Sequence, residues 1–155
     1  MPKVPESIAE FLRGRRIAVA GVSREGAQPA NAIFRRLREG GREVIPLHPS
    51  AAELEGAQCY ADVRAVPGEL DGLLFAAPPS AALEVVRQCG ERGVRRIWFH
   101  RSFGEGSVSE EAVRECERLG IRAIVGGCPM MYCEPVDGFH GCMRWWLSLR
   151  GRIRA

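Results

Sequence analysis

The sequence predicts an α/β protein with a single doubly wound, mainly parallel sheet of about five strands and helices on both faces. Five short apolar runs, bounded by charged residues, glycine or proline, are separated by segments whose apolar residues recur at helical spacing. The runs are continuous rather than alternating, which is typical of parallel strands buried on both faces. The chain of 155 residues, which has no internal repeat, is therefore predicted to form one domain over 1–155.

The predicted elements alternate regularly along the chain. Residues 1–14 form an amphipathic brace, with Ile8, Phe11 and Leu12 at helical spacing. The predicted strands are residues 17–20, 43–47, 70–77, 95–100 and 121–125. The predicted helices are 29–39, 80–92 and one that Ser107 or Ser109 caps and Gly120 ends. Residues 51–54 are weakly helical, 102–106 form a flexible loop, and 128–155 form a loop and a helix from Gly138 to Arg150.

The turn after the first strand is suited to a phosphate group. It reads Gly21-x-Ser23-x-x-Gly26 and leads into a helix near Pro29. A helix start carries unpaired N–H groups and a partial positive charge, which favour a diphosphate. The Rossmann dinucleotide fingerprint is G-x-G-x-x-G, and here serine stands at its middle glycine. The alternative interpretation is an ordinary strand-to-helix turn that carries no ligand.

The end of the second strand lacks the residue that an NAD site needs. Such a site has an acidic residue about 20 positions after the glycine turn, which binds the ribose hydroxyls. This chain has His48 before Pro49 at that place, and Glu43 lies at the wrong end of the strand. A histidine there would accept a phosphate more readily than a bare ribose, although it is also compatible with a plain surface loop.

Several pieces of the chain, taken in order, resemble one family. They are residues 20–23, Asn31, residues 44–49, 63–71, 98–100 and 127–130. Together they are similar to the small stand-alone CoA-binding proteins related to the N-terminal domain of the succinyl-CoA synthetase α subunit. The family usually has asparagine where His48 stands and often glutamine where His100 stands. The resemblance covers nearly the whole chain.

The resemblance implies a ligand and a set of contacts. The cofactor would be CoA or an acyl-CoA, its diphosphate held by the glycine turn and its adenosine flanked by the ends of the second and third strands. The implied site residues are Gly21, Val22, Ser23, Arg24, Asn31, His48, Pro49, Ala77, Pro78, Trp98 and His100. Trp98 and His100 would line the far wall. The family's phosphohistidine belongs to a second domain, so the resemblance implies no catalytic residue here and favours a binding module over an enzyme.

Two other functions remain open on the residues alone. An NADP-dependent oxidoreductase fragment would place a 2′-phosphate at His48 and Arg24. A zinc- or redox-responsive interaction protein would use Cys128, Cys133, His140 and Cys142, although their spacing lacks the tight pairs of structural zinc sites. A nucleophilic Cys128 is a further alternative to an inert loop cysteine.

Composition limits the partners and the compartment. No apolar run is long enough to span a bilayer, and no secretory h-region stands near the N-terminus, so we expect a cytoplasmic protein with reduced cysteines. The net charge of +3 is carried largely by arginine, which suits phosphate and does not demand nucleic acid. Trp145 and Trp146 belong to a packed helix, and an exposed face there would favour a homodimer. An enzyme partner and the acyl group are left open.

Overall fold

The computed structural model describes residues 3–101 and 106–155. Its helices are α1 (Glu6–Arg13), α2 (Pro29–Glu39), α3 (Ala82–Glu91), α4 (Glu110–Leu119) and α5 (Gly138–Leu149). Its strands are β1 (Arg16–Ala20), β2 (Glu43–Leu47), β3 (Glu53–Leu54), β4 (Ala57–Gln58), β5 (Gly72–Phe75), β6 (Arg96–Phe99) and β7 (Arg122–Val125). Of the flexible loop predicted at 102–106, residues 102–105 lie outside the described part. No helix in the described ranges is long and apolar enough to cross a bilayer.

Five of the strands form one parallel sheet. Their order is β2-β1-β5-β6-β7, and each neighbouring pair is parallel. The chain therefore leaves β1 in one direction to make β2 and later returns to the other side of β1 to make β5. In open α/β sheets, the gap between two strands at such a reversal is where ligands bind.

Helices cover both faces of this sheet. Ile17 and Val19 of β1 belong to the apolar cluster shared with α1, α2 and α5. Ala18 and Ala20 belong to the opposite cluster, shared with α3 and α4. Successive side chains of a strand point to opposite faces, so strands covered on both sides require continuous apolar runs. This confirms the α/β fold and the doubly wound, parallel sheet predicted from the sequence.

Residues 51–58 differ from their prediction. The weak helix expected at 51–54 is wrong, because Glu53–Leu54 and Ala57–Gln58 pair as a two-stranded antiparallel hairpin. The two residues between the strands, Glu55 and Gly56, have φ values of 54° and 73°. Left-handed φ at both central residues is the geometry of the tight turns that favour β-hairpins. This hairpin brings Glu55 toward α2.

Candidate functional site

Gly21, the first residue after β1, allows two strand ends to approach closely. Its φ is +107°, a value that other residues rarely adopt. A Cβ on Gly21 would lie 2.5 Å from the carbonyl carbon and oxygen of Ala76, just after β5. Glycine is therefore required for both steric and conformational reasons. The turn thus begins at the reversal between β1 and β5.

Asn31 braces this turn from α2. The amide N–H of Ser23 donates to Asn31 Oδ1 over 2.9 Å, and Asn31 Nδ2 donates to the carbonyl of Ser23 over 2.8 Å. Asn31 is 1% exposed. The structure places its side-chain amide against the turn and outside the residues that line the cavity described below. The backbone N–H of Glu25 donates to Ser23 Oγ at 3.1 Å, which closes the turn further.

Glu55 supports the brace, although no sequence motif identifies it. Its carboxylate accepts from Asn31 Nδ2 at 2.7 Å and from Arg35 Nε and Nη2 at 2.8 Å each. Hydrogen bonds from Arg35 first, and then from Asn31, lower the pKa of this carboxyl below its ordinary value. Arg35 also donates to the carbonyl of Gly26 at 2.9 Å. The only sequence signal was the Glu55-Gly56 pair itself, which is compatible with a hairpin turn.

His48 and Arg24 lie beside each other at the end of β2. His48 Nδ1 accepts from the backbone N–H groups of Ser50 and Ala51, at 3.2 and 3.0 Å. With Nδ1 used as an acceptor, a neutral imidazole carries its hydrogen on Nε2. The guanidinium of Arg24 is exposed and donates to Ser50 Oγ at 3.3 Å. The loop after β2 therefore carries the imidazole of His48 and also binds the guanidinium of Arg24, so both groups lie at the rim of the site.

A cavity of about 510 Å³ opens between the ends of β1, β2 and β5. Ten of its sixteen lining residues come from the strand ends and the glycine turn or lie beside them: Ala20, Gly21, Val22, Ser23, Leu47, His48, Pro49, Phe75, Ala77 and Pro78. Its volume falls in the range of small-molecule sites. The structure thus brings together most of the predicted site residues, and we call this space the nucleotide cavity.

Six residues of the nucleotide cavity were not predicted: Ala61, Asp62, Ala81, Glu84, Val85 and Gln88. They come from the loop before β5 and from the first turns around α3, where the sequence carried no motif. Glu84 accepts from Arg64 at 3.0 Å and from Gln88 at 3.2 Å. Asp62 accepts from the backbone N–H of Ala65 at 3.0 Å. Both carboxylates therefore form hydrogen bonds within the protein that stabilise this wall of the cavity.

Trp98 does not line the cavity. It is fully buried, stacks edge-on against Phe11 with ring centroids 5.5 Å apart, and donates from Nε1 to the carbonyl of Gly126 at 2.9 Å. The structure therefore does not place Trp98 with the predicted ligand contacts, because its side chain lies in the core beside Phe11 of α1.

His100 lies in a different cavity, on the α2 and α5 side of the sheet edge. This second cavity has a volume of about 370 Å³. Its lining residues are Pro29, Ala32, Ile33, His100, Gly106, Cys128, Met130, Phe139, His140 and Met143. Burial lowers the pKa of His100 from 6.5 to about 4, so the imidazole is neutral at pH 7. The structure does not place His100 with the other predicted contacts.

A family model described as a CoA binding domain matches residues 15–134. The chain belongs to this CoA-binding domain family. The match spans β1 to the loop before α5, and so includes the glycine turn and every strand of the sheet. The family and the cofactor predicted from the sequence, coenzyme A, are thereby confirmed.

Individual relatives of this CoA-binding domain are mostly longer. The chain is 30% identical over 126 residues to the alpha subunit of ADP-forming acetate–CoA ligase II from Pyrococcus furiosus, a match that covers 76% of the chain and 27% of that protein. Two ADP-forming acetate–CoA ligases from Archaeoglobus fulgidus are matched over 17% and 18% of their lengths. The chain thus spans about a quarter or less of these curated relatives.

Solved structures include short and long relatives of the CoA-binding domain. A hypothetical protein from Pyrococcus horikoshii is 26% identical with a TM-score of 0.74, and the match covers 83% of this chain and 93% of that one. A dinucleotide-forming acetyl-coenzyme A synthetase from Candidatus Korarchaeum cryptofilum, solved with phosphate and ADP, is 32% identical with a TM-score of 0.63. That match covers 71% of this chain and 25% of the other.

The residues of the zinc alternative are not gathered around one point. Among the residues that the structure describes, no group of three histidine, cysteine or acidic side chains is arranged to hold a metal ion. Cys133 is buried, whereas Cys142 is exposed on α5. His140 Nδ1 instead lies 2.7 Å from the carboxylate of Asp137.

Proposed function

We propose that this CoA-binding domain holds CoA in the nucleotide cavity. The diphosphate lies against residues 21–24 and the start of α2, and the adenosine lies between His48-Pro49 and Ala77-Pro78. The observation that carries the proposal is the braced turn at the cavity floor. The Ser23 and Asn31 contacts fix its backbone before any ligand arrives, and preorganised N–H groups bind anions at little entropic cost.

The charges around the turn suit the phosphates of CoA. α2 has no acidic residue in its first turn, so its positive end is not neutralised there. Arg24 is exposed beside the turn, and its bond to Ser50 keeps it near His48. Arg24 and the Nε2–H group of His48 are donors for the 3′-phosphate that CoA carries on its ribose. This arrangement favours a ligand with phosphates at two places.

We infer that the domain binds and presents CoA and performs no chemistry alone. The two carboxylates of the nucleotide cavity, Asp62 and Glu84, are engaged in contacts within the protein. The protein would work in the cytoplasm, where the buried thiols of Cys89 and Cys116 stay reduced. The curated relatives named as acetate–CoA ligases support an enzyme partner that uses the presented CoA. A homodimer through the exposed side of α5 is the other arrangement that the proposal allows.

Calorimetric titration with CoA, acetyl-CoA, NADP and NAD tests this proposal. We expect CoA and acetyl-CoA to bind in preference to both dinucleotides. Ser23→Asp should weaken CoA binding by at least about tenfold, because a carboxylate beside the diphosphate repels it. Aspartate can still accept the N–H of Glu25 that Ser23 Oγ accepts, so the turn keeps its shape.

Ser148→Asp is the matched control, because Ser148 is exposed on α5, away from the nucleotide cavity. It introduces the same charge and should leave CoA affinity unchanged. Preference for NADP would overturn the proposal in favour of the oxidoreductase. Equal weakening by both aspartates would show that net charge, rather than the turn, governs binding.

A further inference from the structure

The second cavity lies two strands away from the glycine turn along the carboxyl edge of the sheet. The backbone N–H of Ala76 donates to Ala20 O, and that of His100 donates to Phe75 O, both at 2.9 Å. The residues after β1, β5 and β6 therefore follow one another along the edge. Neighbouring strands are about 4.8 Å apart, so His100 is about 10 Å from Gly21 along the edge.

The walls of this cavity are mainly apolar. Ile33 comes from α2, Met130 from the short helical turn after β7, and Phe139 and Met143 from α5. The two imidazoles, His100 and His140, are the polar side chains among the described lining residues. The nucleotide cavity also has many apolar lining residues, but it includes the glycine turn and His48, with Arg24 beside them.

α5 builds one wall and lies beyond the residues that the family model matches. The orientation of this helix is fixed by a cap at its N-terminus and by buried side chains further along it. Asp137 caps it by accepting from His140 N at 2.9 Å, while Met143 and Leu147 are 6% and 1% exposed within the core. Arg144 stacks over the Tyr132 ring at 4.6 Å. α5 thus supplies Phe139, His140 and Met143 to the cavity, while the other lining residues lie within the range that the family model matches.

We propose that the second cavity binds the apolar acyl group of a CoA thioester. The inference rests on the proposed function, because the pantetheine arm must start from a diphosphate at the glycine turn. That arm is a long, flexible chain, and the 10 Å from Gly21 to His100 is within its reach. The thioester then lies near the sheet edge, and the acyl carbons enter between α2 and α5.

The volume of the cavity sets the acyl length. About 370 Å³ equals roughly twelve times the share of liquid volume that one water molecule occupies. That space accommodates an acyl group of several carbons, and the remaining carbons of a longer chain would stay outside it. The protein would therefore prefer medium acyl-CoA molecules to free CoA, and its selectivity would come from α5.

A chain-length series tests this inference with the whole protein. Affinities for CoA and for acetyl-, butanoyl-, hexanoyl- and hexadecanoyl-CoA are measured by calorimetry. Each buried methylene contributes about 0.8 kcal/mol, which corresponds to roughly fourfold in affinity. We expect affinity to rise from acetyl- to hexanoyl-CoA and to gain nothing further with the hexadecanoyl chain.

Phenylalanine substitutions at two alanines distinguish binding in the second cavity from binding in the nucleotide cavity. Ala32 is exposed on α2 and lines the second cavity, so Ala32→Phe should abolish the gain from acyl length and leave CoA affinity within about twofold. Ala81 is exposed and lines the nucleotide cavity, so Ala81→Phe should weaken CoA and all thioesters by the same factor. Thermal unfolding of both variants establishes that they fold.

The outcomes distinguish this inference from the function on which it rests. If CoA binds but all acyl lengths have equal affinity, the acyl cavity is wrong and the CoA site stands. A gain with acyl length that survives Ala32→Phe also overturns the acyl cavity, because the carbons then lie elsewhere. If none of the ligands binds, both proposals fail together.

Discussion

Individual contacts of a few residues determine whether the glycine turn keeps a shape that suits phosphate. Asn31 joins both polar groups of the Ser23 backbone to α2, and Glu55 then holds Asn31 and Arg35. Glu55 has a left-handed φ of 54°, which costs a non-glycine residue conformational energy. Its three donors offset this cost. The hairpin therefore acts on the binding site through one strained acidic residue.

Glu55→Gln tests this support. The variant loses the charged pair with Arg35 and should lower the free energy of unfolding by about 1 kcal/mol at pH 7. The folded pKa of Glu55 lies below its ordinary 4.5, so its stabilisation is complete above that value and is lost as the pH falls through the folded pKa. The difference between variant and wild type, measured by urea unfolding, should therefore shrink between pH 7 and pH 3.

Glu53→Gln provides the control for this experiment, because Glu53 is exposed on the same hairpin. It should change stability by less than about 0.5 kcal/mol. A pH-dependent difference of equal size in both variants would contradict a specific role for Glu55. We also expect Glu55→Gln, and not Glu53→Gln, to weaken CoA binding.

His100 gives the free energy of unfolding a second pH dependence, which arises from burial rather than from an ion pair. Burial lowers the pKa of His100 from 6.5 to about 4, so the unfolded chain takes up a proton at a pH where the folded protein does not. The free energy of unfolding is therefore unaffected by this group above pH 6.5. It decreases as the pH falls toward 4, by roughly 3 kcal/mol in total. Urea unfolding between pH 7 and 4 should show this loss in the wild type and a shallower loss in His100→Gln. Identical slopes would contradict the assigned burial effect.

At the scale of elements, the strands of the large sheet were predictable and the hairpin was not. Continuous apolar runs identify strands buried on both faces, and this pattern located β1, β2, β5, β6 and β7. The strands β3 and β4 have two residues each, too few for any alternation to appear. Only Leu54 of the hairpin is buried deeply in the core, so hydrophobicity carried little information about it.

The candidate site was predictable at its turn and less so at its walls. Gly21 and Ser23 belong to a local motif, and local spacing is enough to recognise it. The direction of Trp98 depends on which face of β6 it occupies, and a strand covered on both sides carries no alternation that reveals this. Likewise, the contribution of Gln88 and Glu84 depends on how α3 packs over the sheet. Such long-range packing left no motif in the sequence.

The helix α5 offers a sharp comparison between two leucines. Leu147 is 1% exposed and belongs to the core cluster, whereas Leu149 is 67% exposed. Leu147→Ala should lower the free energy of unfolding by about 2 to 4 kcal/mol, while Leu149→Ala should change it by less than about 0.5 kcal/mol. Denaturant unfolding measures both. Equal effects would contradict the orientation of α5, and with it the wall of the second cavity.

At the scale of the whole molecule, the sheet separates two cavities that share one edge. The nucleotide cavity opens on the α3 side and the second cavity on the α2 and α5 side. The glycine turn lines the nucleotide cavity and leads into α2, whose first turns line the second cavity. A CoA thioester that crosses this edge would contact both cavities at once. The two cavities lie on opposite sides of the sheet because helices pack on both of its faces.

A crystal structure of the protein with CoA would show directly whether the glycine turn binds the diphosphate. We expect the diphosphate within hydrogen-bond distance of the backbone N–H groups of Val22 and Arg24, with the adenine between His48 and Pro78. The bond between Ser23 N and Asn31 Oδ1 should persist, because it belongs to the brace rather than to the ligand. A diphosphate bound elsewhere on the surface, or a glycine turn that opens and loses this bond, would contradict the proposed CoA site.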